Sequence, residues 1–257
     1  MTKAFHAFIF FTLVLCNTSL THADNTPPPT ATEVLDMYGE LDGWVTIDAY
    51  GVVQRDTRWP NPIIAVCWDE NYTNQDELDY RRLVESAVIS SWSKYSDVRF
   101  IGWGICSAPR APGIHIVVRD EPPRTEAPGR FLDARPKGIV LNFELKNWRP
   151  SCNTKASRDN CLRFLAIHEF GHALGFVHEQ IRSDTPPECT ADAGGSSASG
   201  TKVLSRYDAA SIMNYCSPTW TMNAPYNQSQ NNDISEILSP LDRYSVAKHY
   251  KLKSKTQ

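Results

Sequence analysis

The residues His168-Glu169-Phe170-Gly171-His172-Ala173-Leu174-Gly175-Phe176-Val177-His178-Glu179 place three histidines and a glutamate at spacings that suit a single metal ion. A helix turns once per ~3.6 residues, so His168 and His172 project from one face, one turn apart. Two imidazoles so placed can hold zinc, and Glu169 beside them can reach a water without being a ligand. Gly175 can take a backbone conformation closed to other residues, which lets the helix end and the chain double back. His178 then supplies a third nitrogen. Three protein ligands leave a coordination position open, the mark of a catalytic rather than a structural site. The plain alternative is a helix with surface histidines, and residues further along the chain argue against it.

Those residues are Ser211-Ile212-Met213-Asn214-Tyr215, about 35 positions beyond the motif. Alone, a methionine in a tight turn is ordinary core. After H-E-x-x-H-x-x-G-x-x-H it resembles the Met-turn of the metzincin metallopeptidases. Glu179 directly after the third histidine is similar to the astacin branch. So are Gln180, Arg182 and Asp184, Tyr207-Asp208 before the turn, and Tyr215 two residues past Met213. Trp59-Pro60-Asn61, Ser239, Asp242 and Tyr250 fit that pattern more loosely. Three features depart from it: Asn214 stands where astacins usually have histidine, the cysteine positions differ, and a Gly/Ser loop occupies 191–200.

The resemblance implies a zinc-dependent endopeptidase. One zinc per chain would be held by His168, His172 and His178. Glu169 would act as general base toward water and return the proton to the leaving amine. By the same resemblance, Tyr215 is a further zinc ligand at rest and a hydrogen-bond donor to the oxyanion once substrate binds. The residue matching Glu179 anchors the mature N-terminus in astacins. Substrate is expected as an extended strand on a sheet edge, assigned here to Gly129–Ala134. Two other readings compete. One is another metzincin, matrixin-like, and Glu179 and Tyr215 count against it. The other is a catalytically silent binding or toxin module, which the intact histidines and Glu169 disfavour.

The elements that must position these residues are legible in outline. Ile63-Ile64-Ala65-Val66-Cys67-Trp68 reads as a buried strand. Asn74 with Glu77 signals a helix start, and Tyr80, Leu83, Val84, Ala87, Val88 and Ser91 give an amphipathic helix to about Tyr95. Residues 98–101, 114–118 and 138–143 read as further strands. The Pro- and Arg-rich stretch 120–136 reads as irregular around a short strand near Phe131. The active helix is expected over 161–174, packing through Phe164, Ile167, Phe170, Gly171 and Leu174. Ser239-Pro240-Leu241-Asp242 opens a last helix running to about Tyr250. The expected fold is α+β: a metzincin-type catalytic domain with a twisted mixed sheet, a long backing helix, an active-site helix, a Met-turn and a C-terminal helix.

Residues 1–23 read as a signal peptide, with Lys3, an apolar run over 8–16 and cleavage after Ala23. That run is shorter than the ~20 residues a membrane span needs. Residues 24–58 read as an N-terminal extension or short propeptide, with a possible strand pair over 44–53. Residues 59–251 read as the catalytic domain and 252–257 as a tail. Without Cys16, the seven cysteines become six, an even number suited to three disulfides in an exported chain. Sequence does not choose among the pairings; Cys67–Cys106, Cys152–Cys161 and Cys189–Cys216 is the expected set. A net charge of -3 points to neither nucleic acid nor an anionic membrane. The expected product is a secreted monomer acting on proteins or peptides. His115 and His249 are expected to be structural.

Overall fold

The computed structural model describes residues 52–145, 152, 154–182, 184–189, 201–203, 207–217 and 237–250. The segment expected as a signal peptide, most of the expected extension, the Gly/Ser stretch and the expected tail lie outside the described residues. Strand β1 (Val52–Gln54) leads into β2 (Ile63–Trp68), helix α1 (Gln75–Ser91), β3 (Arg99–Ile105), β4 (Ile114–Val118), β5 (Arg124–Thr125) and β6 (Arg135–Leu141). Helix α2 (Lys155–Ala173), strand β7 (Thr201–Val203) and helix α3 (Pro240–His249) follow. Strands β2 to β6 form one mixed sheet in the order β3-β2-β4-β6-β5. Its first four strands run parallel and β5 runs antiparallel along the edge beside β6.

Local chemistry explains most element boundaries. The Asn74 side chain accepts from the backbone N–H of Glu77 and so caps α1. Val84, Ala87, Val88 and Ser91 recur at helical spacing and are its buried face. Trp92 closes the helix: its indole N–H donates to the Ile167 carbonyl at 2.8 Å, which pins the end of α1 to the middle of α2. Its ring also stacks on Phe176. Helix α2 begins six residues earlier than the sequence pattern suggests, because Thr154 and Ser157 cap its start reciprocally. Ile167, Phe170 and Leu174 are fully buried, as the pattern requires, while Phe164 is only partly covered. Helix α3 opens as expected on Ser239 and Asp242, with Pro240 in the first turn.

Two expectations are corrected. No strand forms near Phe131: Gly129–Leu132 is a single 3-10 turn, with positive φ at Gly129 and Ala134 on either side. Here they turn the chain out of extended geometry. The edge strands of the sheet are β3 and, beside β6, β5 at Arg124 and Thr125, so an edge strand for substrate cannot be placed at Gly129–Ala134. Val52–Gln54 is the described part of the expected strand pair over 44–53, and it pairs antiparallel with β7.

Residues 52–59 are built into the domain. Gln54 donates its N–H to the Gly175 carbonyl at 3.0 Å, and Arg130 donates to the Thr57 carbonyl at 2.7 Å. Thr57 is fully buried against Gly175, and the Trp59 indole donates to the Ala173 carbonyl at 2.8 Å. The Tyr250 hydroxyl donates to the Leu174 carbonyl at 2.9 Å. The last turn of α2 is therefore held from the N-terminal strap and from the end of α3. All three disulfides of the expected set are present. No helix among the described residues is long and apolar enough to cross a membrane.

Candidate metal centre

Helix α2 carries His168 and His172 to the same side. Gly175, at φ +96°, then reverses the chain, and His178 comes back over the pair. A side chain at Gly175 would collide with Thr57, so both the backbone angle and the close approach demand glycine. The three Nε2 atoms converge: His178 lies 3.2 Å from His168 and 3.0 Å from His172. Nitrogens at zinc's usual ~2.0–2.1 Å in a tetrahedron stand about 3.3 Å apart, so the donor set matches that ion closely.

The far side of two rings fixes the tautomer. His168 Nδ1 lies 2.9 Å from the Ile212 carbonyl and His172 Nδ1 lies 2.8 Å from the Phe176 carbonyl. A carbonyl only accepts, so each Nδ1 carries the proton and each Nε2 turns a lone pair toward the cluster. Burial disfavours the charged form of all three. It holds His172 at about 4 and, with His172 nearby, His178 at about 3. Burial and its two neighbours also push His168 well below the ordinary histidine value. Lone pairs turned inward at this spacing could hold a metal ion.

Glu169 is buried beside the cluster. Desolvation raises its carboxyl to about 7, against the opposing effect of the Thr125 hydroxyl and of Arg124. Thr125 Oγ1 lies 2.7 Å from Glu169 Oε2. Such a carboxyl can both take and return a proton near neutral pH.

The turn at Met213 supports the centre from below. A Cβ at Gly171 would strike the Met213 sulfur and approach the Trp92 ring to 3.1 Å, so this helical glycine makes room for the methionine. Ile212 donates its N–H to Asp242 Oδ2 at 2.9 Å and offers its carbonyl to His168. Asn214, where histidine was expected by resemblance, is fully buried. Its amide nitrogen donates to the Tyr207 oxygen at 2.8 Å and to the Asp208 carbonyl at 2.9 Å, and its oxygen accepts from the Cys216 N–H. It therefore knits the turn together and lies away from the cluster's hydrogen bonds. Tyr215 lies over the histidines, its ring centroid 4.2 Å from that of His178, and is 42% exposed. Its backbone N–H donates to the Gln180 side-chain oxygen at 3.1 Å.

Glu179 is enclosed. It faces Arg182 at 3.4 Å and accepts from the Asp208 N–H at 3.3 Å, while burial pushes it up to about 8 despite Arg182. His115 sits in the core between Asp69 and the Ala111 carbonyl, as a structural histidine should. The neighbouring cysteines, Cys67 and Cys106, are joined to each other and so are not thiolate ligands. One contributor escaped the sequence reading, Thr125. It is separated from its partner by 44 residues, and no local pattern links them.

Residues 153–256 match the family model described as Met-zincin. Among solved structures, one of myroilysin is similar with a TM-score of 0.53 and 21% identity, over 79% of this chain and 100% of that one. A second myroilysin structure gives a TM-score of 0.46 and 20% identity, over 76% and 86%. High choriolytic enzyme 1, a hatching enzyme zinc-protease from the medaka fish Oryzias latipes, gives 0.41 and 18%, over 74% and 91%. No curated protein matches. Sequence thus places a metzincin pattern on the part of the chain that carries the cluster. The first myroilysin structure extends the likeness, as a shared fold, to most of its length.

Proposed function

We propose that this chain, metzincin in fold and motif, is a secreted zinc-dependent endopeptidase of the astacin-like kind. The observation that carries the reading is the convergence of three imidazole nitrogens, the Nε2 atoms of His168 and His172 lying 3.2 and 3.0 Å from that of His178, with Glu169 buried next to His168 in the chain. His168, His172 and His178 would hold one zinc per chain. Zinc there supplies Lewis acidity to the scissile carbonyl and makes a neighbouring water more acidic.

The remaining chemistry belongs to the protein. Glu169 accepts a proton from the attacking water and returns it to the leaving amine. Its carboxyl near 7 suits both directions. Tyr215, exposed at the rim, joins the ligand set at rest and donates a hydrogen bond to the oxyanion in the transition state. Substrate would lie extended along β5, whose outer edge pairs with no strand among the described residues. The astacin-like assignment is supported by Glu179 after the third histidine and by Tyr215 two residues past Met213. Three disulfides and the N-terminal apolar run support export. The packing of 52–58 favours a mature enzyme that keeps these residues, so that any trimmed segment ends before Val52.

The test is casein cleavage by purified protein with and without a zinc chelator, beside Glu169→Ala. The expected result is about one zinc per chain in both proteins, cleavage by the wild type only, and loss of cleavage on chelation. Cleavage that ignores the chelator, or that survives Glu169→Ala, would overturn the reading.

A further inference from the structure

We propose that Thr125 is a positioning residue that holds the Glu169 carboxyl in one place. The inference rests on the reading of Glu169 as the proton carrier. Thr125 Oγ1 lies 2.7 Å from Glu169 Oε2 and 3.0 Å from the main-chain carbonyl oxygen of the same residue. The first contact ties the carboxyl to β5 and the second ties the main chain of the same residue to it, so one hydroxyl fixes both ends of the Glu169 side chain relative to the sheet.

The fold puts Thr125 there for a nonlocal reason. Strand β5 pairs antiparallel with β6, setting Thr125 opposite Ile139, which is fully buried. Side chains alternate along a strand, so Arg124 points to the other face. There it is gripped by Glu121 at 2.9 Å and Glu126 at 2.7 Å. No second side chain hydrogen-bonds the Glu169 carboxyl among the described residues, so its orientation depends on Thr125. The same strand offers the free edge for substrate, so one short element aligns both the peptide and the base.

Thr125→Val keeps the branched shape and removes the hydroxyl, whereas Thr125→Ser keeps the hydroxyl. Misplacing a catalytic group by about 1 Å can cost up to ~100-fold in rate. We expect Thr125→Val to lower kcat about tenfold, within that bound, while KM, melting temperature and zinc content stay near wild type. Thr125→Ser should recover most of the loss. Crystal structures of the zinc-loaded proteins should show the Glu169 carboxyl displaced or in several rotamers in Thr125→Val, with the three histidines unmoved. The proposal is overturned if Thr125→Val keeps wild-type kcat, if serine is as poor as valine, or if Glu169 sits identically in both structures. Should the wild type itself cleave nothing, the peptidase reading fails. The position of Glu169 in Thr125→Val would then still decide whether Thr125 holds it.

Discussion

Replacing Asp242 by alanine should loosen the metal centre from a distance. Asp242 lies in the first turn of α3 and is buried, yet it serves the Met213 turn. Its Oδ1 accepts from the Ser211 hydroxyl at 2.7 Å. Its Oδ2 accepts from the backbone N–H of Ile212 at 2.9 Å and of Ser239 at 3.0 Å. The Ser211 hydroxyl oxygen in turn accepts from the Met213 N–H at 3.0 Å. Alanine leaves two main-chain N–H groups without acceptors, at about 1–3 kcal/mol each, or about 2–6 kcal/mol together. Part of this is offset, because burial and the neighbouring Asp208 hold the Asp242 carboxyl well above the usual carboxylate range. A loss of about 2–4 kcal/mol remains, a large share of the ~5–15 kcal/mol that stabilises a domain. Asp242→Asn keeps an oxygen for both N–H groups, and Ser211 can rotate to accept from the new amide, so it should cost under about 1 kcal/mol. Urea unfolding of the zinc-free, disulfide-intact protein measures both. Zinc affinity should fall in the alanine variant as well, because Ile212 also orients His168. Equal damage from asparagine and alanine, or a change below about 0.5 kcal/mol in alanine, would refute the acceptor argument.

Gly171→Ala should destabilise by about 1–3 kcal/mol through collision with Met213, outweighing the ~1 kcal/mol that alanine gains in a helix. A rise in melting temperature would show that the turn is free to move. The raised pKa of Asp242 means that its protonated form favours the fold. Its contribution is fully present below about pH 4 and is lost as pH rises through the folded value, at no more than ~1.4 kcal/mol per pH unit. Unfolding series across pH should therefore show a flatter slope in Asp242→Asn than in the wild type; parallel slopes would mean that Asp242 titrates normally. A chain begun at Trp59 loses the Gln54–Gly175 and Thr57–Arg130 hydrogen bonds, so its melting temperature and zinc affinity should both drop. Mass spectrometry of the mature protein should find the N-terminus at or before Val52, and a terminus at Trp59 would contradict that placement.

The cluster of three histidines was legible in the sequence because its geometry is local. His168 and His172 sit one helical turn apart whatever surrounds them, and Gly175 permits the reversal that returns His178 within ten residues of the first ligand. The caps at Asn74 and Ser239 were legible for the same reason, since a side chain and a backbone N–H three residues on meet without help from the rest of the fold. The start of α2 was missed because its cap pairs threonine with serine rather than with the usual glutamate or glutamine. The short strand expected near Phe131 was misplaced because strand pairing is nonlocal. Within 120–136, Arg124–Thr125 finds a partner in β6, while Gly129–Leu132 closes into a 3-10 turn. The contact of Thr125 with Glu169, the grip of Asp242 on the Met213 turn and the burial of Thr57 against Gly175 join residues 30 to 118 positions apart. No periodicity encodes such contacts: they exist only once the sheet and the helices have packed.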